Sequence, residues 1–194
     1  MGKSALEAVE GDRLITKKEL AALLGRPEAD HTFSREDTFV SACARGDREE
    51  VRRLLSETPD IVQWLSEKQL RQLPNLAAQG NFTAVKTMVE AGWPVSVRGG
   101  DWDASALNLA VYRGDAVMAE FLLEHGADWQ QKHGFGGNAM GTLGYASMNN
   151  VHFHGDWLGC AKALIVHGMP LPPEGHEFSE EVTEYFETMR AFQN

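Results

Sequence analysis

Gly46, Gly80 and Gly114 stand 34 residues apart, in Arg45-Gly46-Asp47, Gln79-Gly80-Asn81 and Arg113-Gly114-Asp115. A second pair, Gly92 and Gly126, repeats the same 34-residue step. Two independent markers with one period restrict the chain to a stack of supersecondary units, because repeats of this length belong to solenoids and arrays. Before each glycine of the first series comes a run of small or apolar residues: Ser41-Ala42-Cys43-Ala44, Leu76-Ala77-Ala78 and Leu109-Ala110-Val111. After it comes an amphipathic segment, with Val51, Leu54 and Leu55, then Val85, Met88 and Val89, then Ala119, Leu122 and Leu123. Spacings of three and four give each segment one apolar helical face. Small residues on the first helix let the second approach closely. Glycine between the helices supplies a left-handed turn, and glycine after the second helix ends it. One such pair cannot bury its own apolar face, but stacked neighbours can.

The third unit is the most regular. Its segments Ser105-Ala106-Leu107-Asn108-Leu109-Ala110 and Phe121-Leu122-Leu123-Glu124-His125-Gly126-Ala127-Asp128 resemble the ankyrin consensus, which runs TPLHLAA, a glycine, then LLLEHGAD. The resemblance covers roughly Asp37 to Pro170. It implies an all-α fold, an ankyrin-repeat solenoid of about four helix-turn-helix repeats with terminal capping helices. The repeats would occupy about 37–70, 71–103, 104–136 and 137–170, between an N-terminal capping or flexible segment, 1–36, and a C-terminal capping helix within 171–194. The first repeat departs from the pattern by ending in Thr58-Pro59-Asp60 without its closing glycine. The second sets Pro74-Asn75-Leu76 one residue short before Gly80.

The fourth repeat closes at Gly168, 42 residues after Gly126, and so carries an insertion. Phe135-Gly136-Gly137-Asn138-Ala139-Met140-Gly141 is similar to a GGTPLG variant in the last repeats of many bacterial ankyrin proteins. Either Met140 or Leu143 takes the place of Leu107; they lie three apart on one helix face and the sequence does not separate them. In both registers the insertion falls around Met148–His154, between the two helices. Beyond Pro170, Pro172 and Pro173, a closing helix is expected, with Ser179 as N-cap, Glu180 and Glu181 in its first turn, and Val182, Phe186 and Met189 facing the last repeat. Near the other end, Thr16-Lys17-Lys18-Glu19-Leu20-Ala21-Ala22-Leu23-Leu24-Gly25 reads as a short helix with a threonine cap and a glycine stop. Its wording resembles the first helix of a helix-turn-helix, but Arg26-Pro27-Glu28-Ala29-Asp30 is loop-like where the second helix would start.

Charge and reactive residues narrow the function. The net charge is −10, which opposes sequence-independent nucleic-acid binding, since that relies on clustered Lys and Arg. The two cysteines, Cys43 and Cys160, lack CxxC spacing and read as reduced thiols. With no signal peptide at Met1 and no apolar stretch of membrane-spanning length, the expected location is the cytoplasm, away from any membrane. His125 and His167 stand before the closing glycines, where ankyrin repeats often carry His or Asn. His152, His154 and Asp156 lie in or beside the insertion, His133 in the finger before it, and Cys160 nearby. No recurrent zinc spacing joins them. There is no G-x-S-x-G elbow, and neither Gly99-Gly100 nor Gly134–Gly137 leads from a strand into a lysine-bearing phosphate loop. The expectation is therefore no metal, no cofactor and no catalysis.

The resemblance implies a concave surface formed by hairpin fingers and first helices. Asp101, Trp102, Asp103, Tyr112 and Arg113 would reach it from the third repeat, with His133 and Phe135 on the neighbouring finger. Trp, Tyr and Arg are enriched at interface hot spots, and Trp102 between two aspartates has no place in a repeat core. Trp129 stands for the valine of GADV and would pack under its hairpin; Trp93 and Trp157 fit either role. The expected function is non-catalytic binding of a protein partner on that surface, with a regulator or immunity-type inhibitor among the roles open to it. The alternative is a small enzyme or metal-binding protein built on the fourth-repeat insertion.

Overall fold

The computed structural model describes residues 34–149 and 154–192. The expected Thr16–Gly25 helix lies outside them, as does the middle of the fourth-repeat insertion with His152. Within the described residues the chain runs as four successive helix pairs. The first is α1 (Arg35–Arg45) and α2 (Arg48–Glu57), followed by a 3₁₀ turn at Ile61–Trp64. A one-turn helix α3 (Glu67–Leu70) leads into α4 (Gln72–Ala78), which pairs with α5 (Phe82–Glu90). Then come α6 (Ala106–Arg113) with α7 (Ala116–Glu124), α8 (Ala139–Asn149) with α9 (Trp157–Val166), and a final α10 (Glu180–Ala191). The fold is all-α, a helical solenoid; its only strands among the described residues are Arg98–Gly99 (β1) and Ala104–Ser105 (β2), paired antiparallel in one finger.

The Gly-Asp/Asn marker now has a local cause. Gly46, Gly80 and Gly114 lie at φ of 70°, 73° and 67°, the left-handed region that ends a first helix without a Cβ clash. The next residue caps the second helix: Asp47, Asn81 and Asp115 each accept a hydrogen bond from the backbone N–H three residues on. A helix start leaves several N–H groups without intrahelical partners, and these side chains satisfy one each. Asp156 does the same for α9, accepting from the Gly159 N–H at 2.6 Å. The fourth pair keeps the cap, as Gly155-Asp156, but there it is His154, at φ 47°, that lies in the left-handed region.

The core follows the stack. Phe39, Leu54, Leu73, Val85, Met88, Leu107, Met118, Leu122, Leu143 and Leu164 are buried, with Ala42, Cys43, Ala77, Ala110 and Ala161 fully buried between helices. The alanines keep the helices close enough for the larger side chains to interdigitate at crystal-like density. Where the first repeat lacks its closing glycine, the 3₁₀ turn drops Ile61 into the core, and the buried Thr58 hydroxyl accepts from Arg35 Nη1 at 2.7 Å. Trp93 is structural: it is 2 % exposed, stacks on Phe39 at 6.0 Å, and donates its indole N–H to the Leu70 carbonyl at 2.9 Å. Trp129 packs half-buried against the core, its carbonyl accepting from the Ala139 N–H.

The register of the fourth pair is decided at its start. The Asn138 side chain accepts from the Gly141 N–H, as the Ser105 hydroxyl accepts from that of Asn108. That places Met140 in the position of Leu107, while the deepest burial in the helix passes to Leu143, fully buried beside a half-buried Met140. At the far end Val182 and Phe186 are buried and Met189 half-buried. Ser179 holds the N-cap position of α10 but makes no side-chain cap bond; its N–H donates instead to the Ser147 hydroxyl of α8 at 3.1 Å. The closing helix is thereby tied to the last repeat.

Candidate binding cleft between the third and fourth helix pairs

Two fingers and two helices build the cleft. In the first finger, β1 and β2 pair with Arg98 opposite Ser105 and Gly99 opposite Ala104. Gly100 at φ 69° and Asp103 at φ 48° turn the chain between them. Asp103 tolerates that conformation because its carboxylate is held by Arg98 at 3.0 Å and its N–H by the Gly100 carbonyl. This turn carries Asp101 and Trp102. The second finger bends so that the His133 N–H meets the Gly137 carbonyl at 2.9 Å and the Gly136 N–H meets the His133 carbonyl at 2.8 Å. The His133 imidazole lies against Gly137, where an added Cβ would come within 2.6 Å of Nε2.

The fingers are locked together. The Gly134 N–H donates to the Trp102 carbonyl at 2.8 Å, Gln131 Nε2 to the Ser96 carbonyl at 2.7 Å, and Arg98 Nη1 to the Lys132 carbonyl at 3.2 Å. Beneath them lies a buried polar latch. Asn108 Nδ2 donates to the Gln131 carbonyl at 3.0 Å, and the Thr142 hydroxyl donates to Asn108 Oδ1 at 2.9 Å. Buried amide and hydroxyl groups are tolerable only when so partnered, and here the partnering fixes α6, the second finger and α8 as one frame.

On this frame sits a cleft of about 630 Å³, lined by Asp101, Trp102, Tyr112, His133, Phe135 and Tyr145, with Gly137, Gly141 and Thr142 at its floor and edge. Its walls are rings. Trp102 meets Tyr112 at 5.2 Å and 65°, and His133 at 5.1 Å and 67°. Tyr112 and Tyr145 lie parallel at 6.4 Å, and Phe135 stands edge-on to His133 at 6.0 Å. His133 Nδ1 accepts the Phe135 N–H at 3.2 Å, and burial holds its pKa below the ordinary histidine value.

Of the seven residues expected on the concave surface, five line this cleft: Asp101, Trp102, Tyr112, His133 and Phe135. Two do not. Asp103 is engaged by Arg98. Arg113 reaches back to the preceding pair, where its guanidinium covers Gly80 and Nη1 donates to the Ala78 carbonyl at 3.0 Å. Trp102 is also more than a finger tip, since its ring is half-buried against the core. Tyr145, 61 % exposed on α8, was not among the expected residues. Its signal was present: it follows Tyr112 by 33 residues, the same step that relates Asn138 to Ser105.

The other candidate chemistry is placed as well. His125 Nδ1 lies 2.7 Å from the Phe121 carbonyl, and His167 Nε2 lies 3.1 Å from Glu120 Oε1. Among the described residues no group of three or more His, Cys, Asp or Glu could hold a metal ion. Cys43 and Cys160 are free and buried. Burial pushes the Cys43 thiol up to about 12, and burial with the Asp156 and Asp115 carboxylates raises Cys160 further. Neither is poised as a thiolate. No described helix is long and apolar enough to cross a membrane.

The family comparison falls on the same elements. Residues 102–133, from one cleft ring to another, match the ankyrin repeat model. Over that stretch the chain is similar to an ankyrin repeat. Ankyrin repeats are generally protein–protein interaction modules and typically non-enzymatic. No curated protein matches the sequence.

Proposed function

We propose that this chain is a non-catalytic binding module that takes a protein partner in the cleft between its third and fourth ankyrin-type helix pairs. The observation that carries the reading is the set of rings there: Phe135 is 81 % exposed and Tyr145 61 %, beside Trp102 and Tyr112. Aromatic side chains that keep surface exposed, set on a rigid frame in a cavity of ligand-binding size, are the composition of an interface hot spot. A net charge of −10 supports a protein rather than a nucleic-acid partner. Within this reading, roles as a regulator or as an immunity-type inhibitor in a bacterial cytoplasm rest on the sequence resemblance alone.

The test is a titration of variants against the partner captured by the wild-type chain. Trp102→Ala should weaken binding by ~2 kcal/mol or more, roughly 30-fold. Because the Trp102 ring is half-buried, Tyr145→Ala serves as the companion whose loss of affinity cannot be ascribed to unfolding. Unchanged affinity in both, with a large loss for substitutions on α10, would move the interface to the closing helix and end this reading.

A further inference from the structure

We infer that the group this cleft accepts is the guanidinium of an arginine in a basic segment of the partner. The inference rests on the docking reading above and adds the chemistry of the docked group.

The walls offer π faces at an angle. Trp102 stands at 65° to Tyr112 and 67° to His133, so the rings form corners rather than one stack. A flat cation entering such a corner lies on one face with its rim toward the next ring, and the negative face of each ring attracts it. Among the described residues no lysine or arginine lines the cleft, and the one acidic side chain that does is Asp101. Among the described residues Asp101 has no salt bridge, because the nearby Arg98 is taken by Asp103 at 3.0 Å. The Thr142 hydroxyl is already committed to Asn108 and Asn138. An anion would therefore meet a carboxylate and, among the described residues, no cation, whereas a cation meets ring faces and an acceptor in the lining. Burial of His133 disfavours its charged form, the form that would repel a positive group.

Arginine fits better than lysine on physical grounds. The lining is mostly aromatic carbon, and an ammonium is a compact, strongly hydrated charge that loses its water at high cost. A guanidinium is weakly hydrated, planar, and stacks on aromatic faces while its fork still reaches a carboxylate. A norleucine-like apolar side chain would use the same faces but leave Asp101 without a role.

The experiment uses the full chain and three capped pentapeptides, Gly-Gly-X-Gly-Gly, with X arginine, citrulline or norleucine. Citrulline keeps the planar shape and length of arginine, replaces one terminal amino group by a carbonyl oxygen, and removes the charge. Binding is read from the ¹⁵N indole resonance of Trp102, assigned by its absence in Trp102→Ala, and from the Tyr145 backbone amide. The arginine peptide should bind roughly 5- to 30-fold more tightly than the citrulline peptide, the ratio a cation–π contact of about 1–2 kcal/mol provides. Asp101→Asn should shrink that ratio, and Trp102→Ala should abolish the saturable shift at Tyr145. Equal affinity for arginine and citrulline overturns the inference, as does tighter binding of norleucine, and so does no saturable shift with the arginine peptide. In the norleucine case the cleft remains a docking site of apolar preference, and the partner titration decides the docking reading separately.

Discussion

Replacing Gly114 and Gly126 by alanine separates two contributions that most glycine substitutions confound. Both residues sit in the left-handed region, at φ of 67° and 86°. An L-residue there costs about 1–2 kcal/mol from its own Cβ against the backbone. Around Gly126 an added Cβ meets nothing within 4 Å, so that strain is the whole expected loss. At Gly114 the same Cβ would lie 2.5 Å from Gly155 Cα, 2.8 Å from its carbonyl carbon and 2.9 Å from the Asp156 nitrogen. These are backbone atoms and cannot swing aside as a side-chain end would. Moving them also stretches the bond from the Asp156 N–H to the Gly114 carbonyl, 2.8 Å long, that ties the fourth pair to the turn of the third. Forced contacts of this kind add about 1–3 kcal/mol. Gly126→Ala should therefore lose about 1–2 kcal/mol and Gly114→Ala about 2–5 kcal/mol. Urea denaturation followed by circular dichroism measures both, with an unchanged m-value showing that the unfolded reference is the same. Losses equal to within about 0.5 kcal/mol would refute the close approach of Gly155 to this turn, and with it the way the fourth pair is seated.

Two further perturbations address the core and the cleft. Leu107, 1 % exposed on a helix that packs against α4, α7 and α8, should cost about 2–5 kcal/mol on truncation to alanine, and a denaturation loss below about 1 kcal/mol would contradict its central place. His133 should titrate by NMR below the ordinary histidine value, because burial disfavours its charged form, and Trp102→Ala should move it back up. A depressed folded value means that the unfolded chain binds the proton more readily, so this group favours folding at high pH and works against it as pH falls through the histidine range. Titration at or above the ordinary value would remove the burial assigned to the ring.

The repeat was legible in the sequence because its markers are fixed by local backbone chemistry. A left-handed helix end selects glycine, and a helix start selects Asp or Asn. Those two demands write Gly-Asp or Gly-Asn at the inter-helix turns of the first three pairs. Trp93 was not legible, since the feature that makes it structural is the Leu70 carbonyl, and no periodicity announces a hydrogen bond across 23 residues. Arg113 is expected on the concave surface by its type; its long side chain reaches the preceding turn, a direction that position alone does not give. The start of α8 was ambiguous because Asn138 replaces the Ser or Thr of a standard cap and glycines flank it, leaving Met140 and Leu143 as equal anchors. With that register open, Tyr145 could not be matched to Tyr112.

Once the register is set, the position of the cleft follows from stacking. Neighbouring repeats place equivalent residues side by side, so a surface site arises where two successive repeats depart from the small-residue pattern at the same position. Counting back from Tyr112 in 34-residue steps gives Ala78 and then Ala44. Those alanines raise no wall above their helices. Tyr112 and Tyr145 do, in parallel at 6.4 Å. The fingers obey the same logic: Trp102 on one and His133 and Phe135 on the next are brought together by the Gly134 N–H bond to the Trp102 carbonyl, by the Gln131 and Arg98 side chains between the fingers, and by the Asn108 latch beneath. Stability does not ask for this. Phe135 and Tyr145 keep most of their surface in water, where an apolar ring gains nothing from folding. A repeat array could present serine or lysine at these positions with its core unchanged. The exposed surfaces of Phe135 and Tyr145 therefore need a reason outside the core, and the docking reading proposed above supplies one.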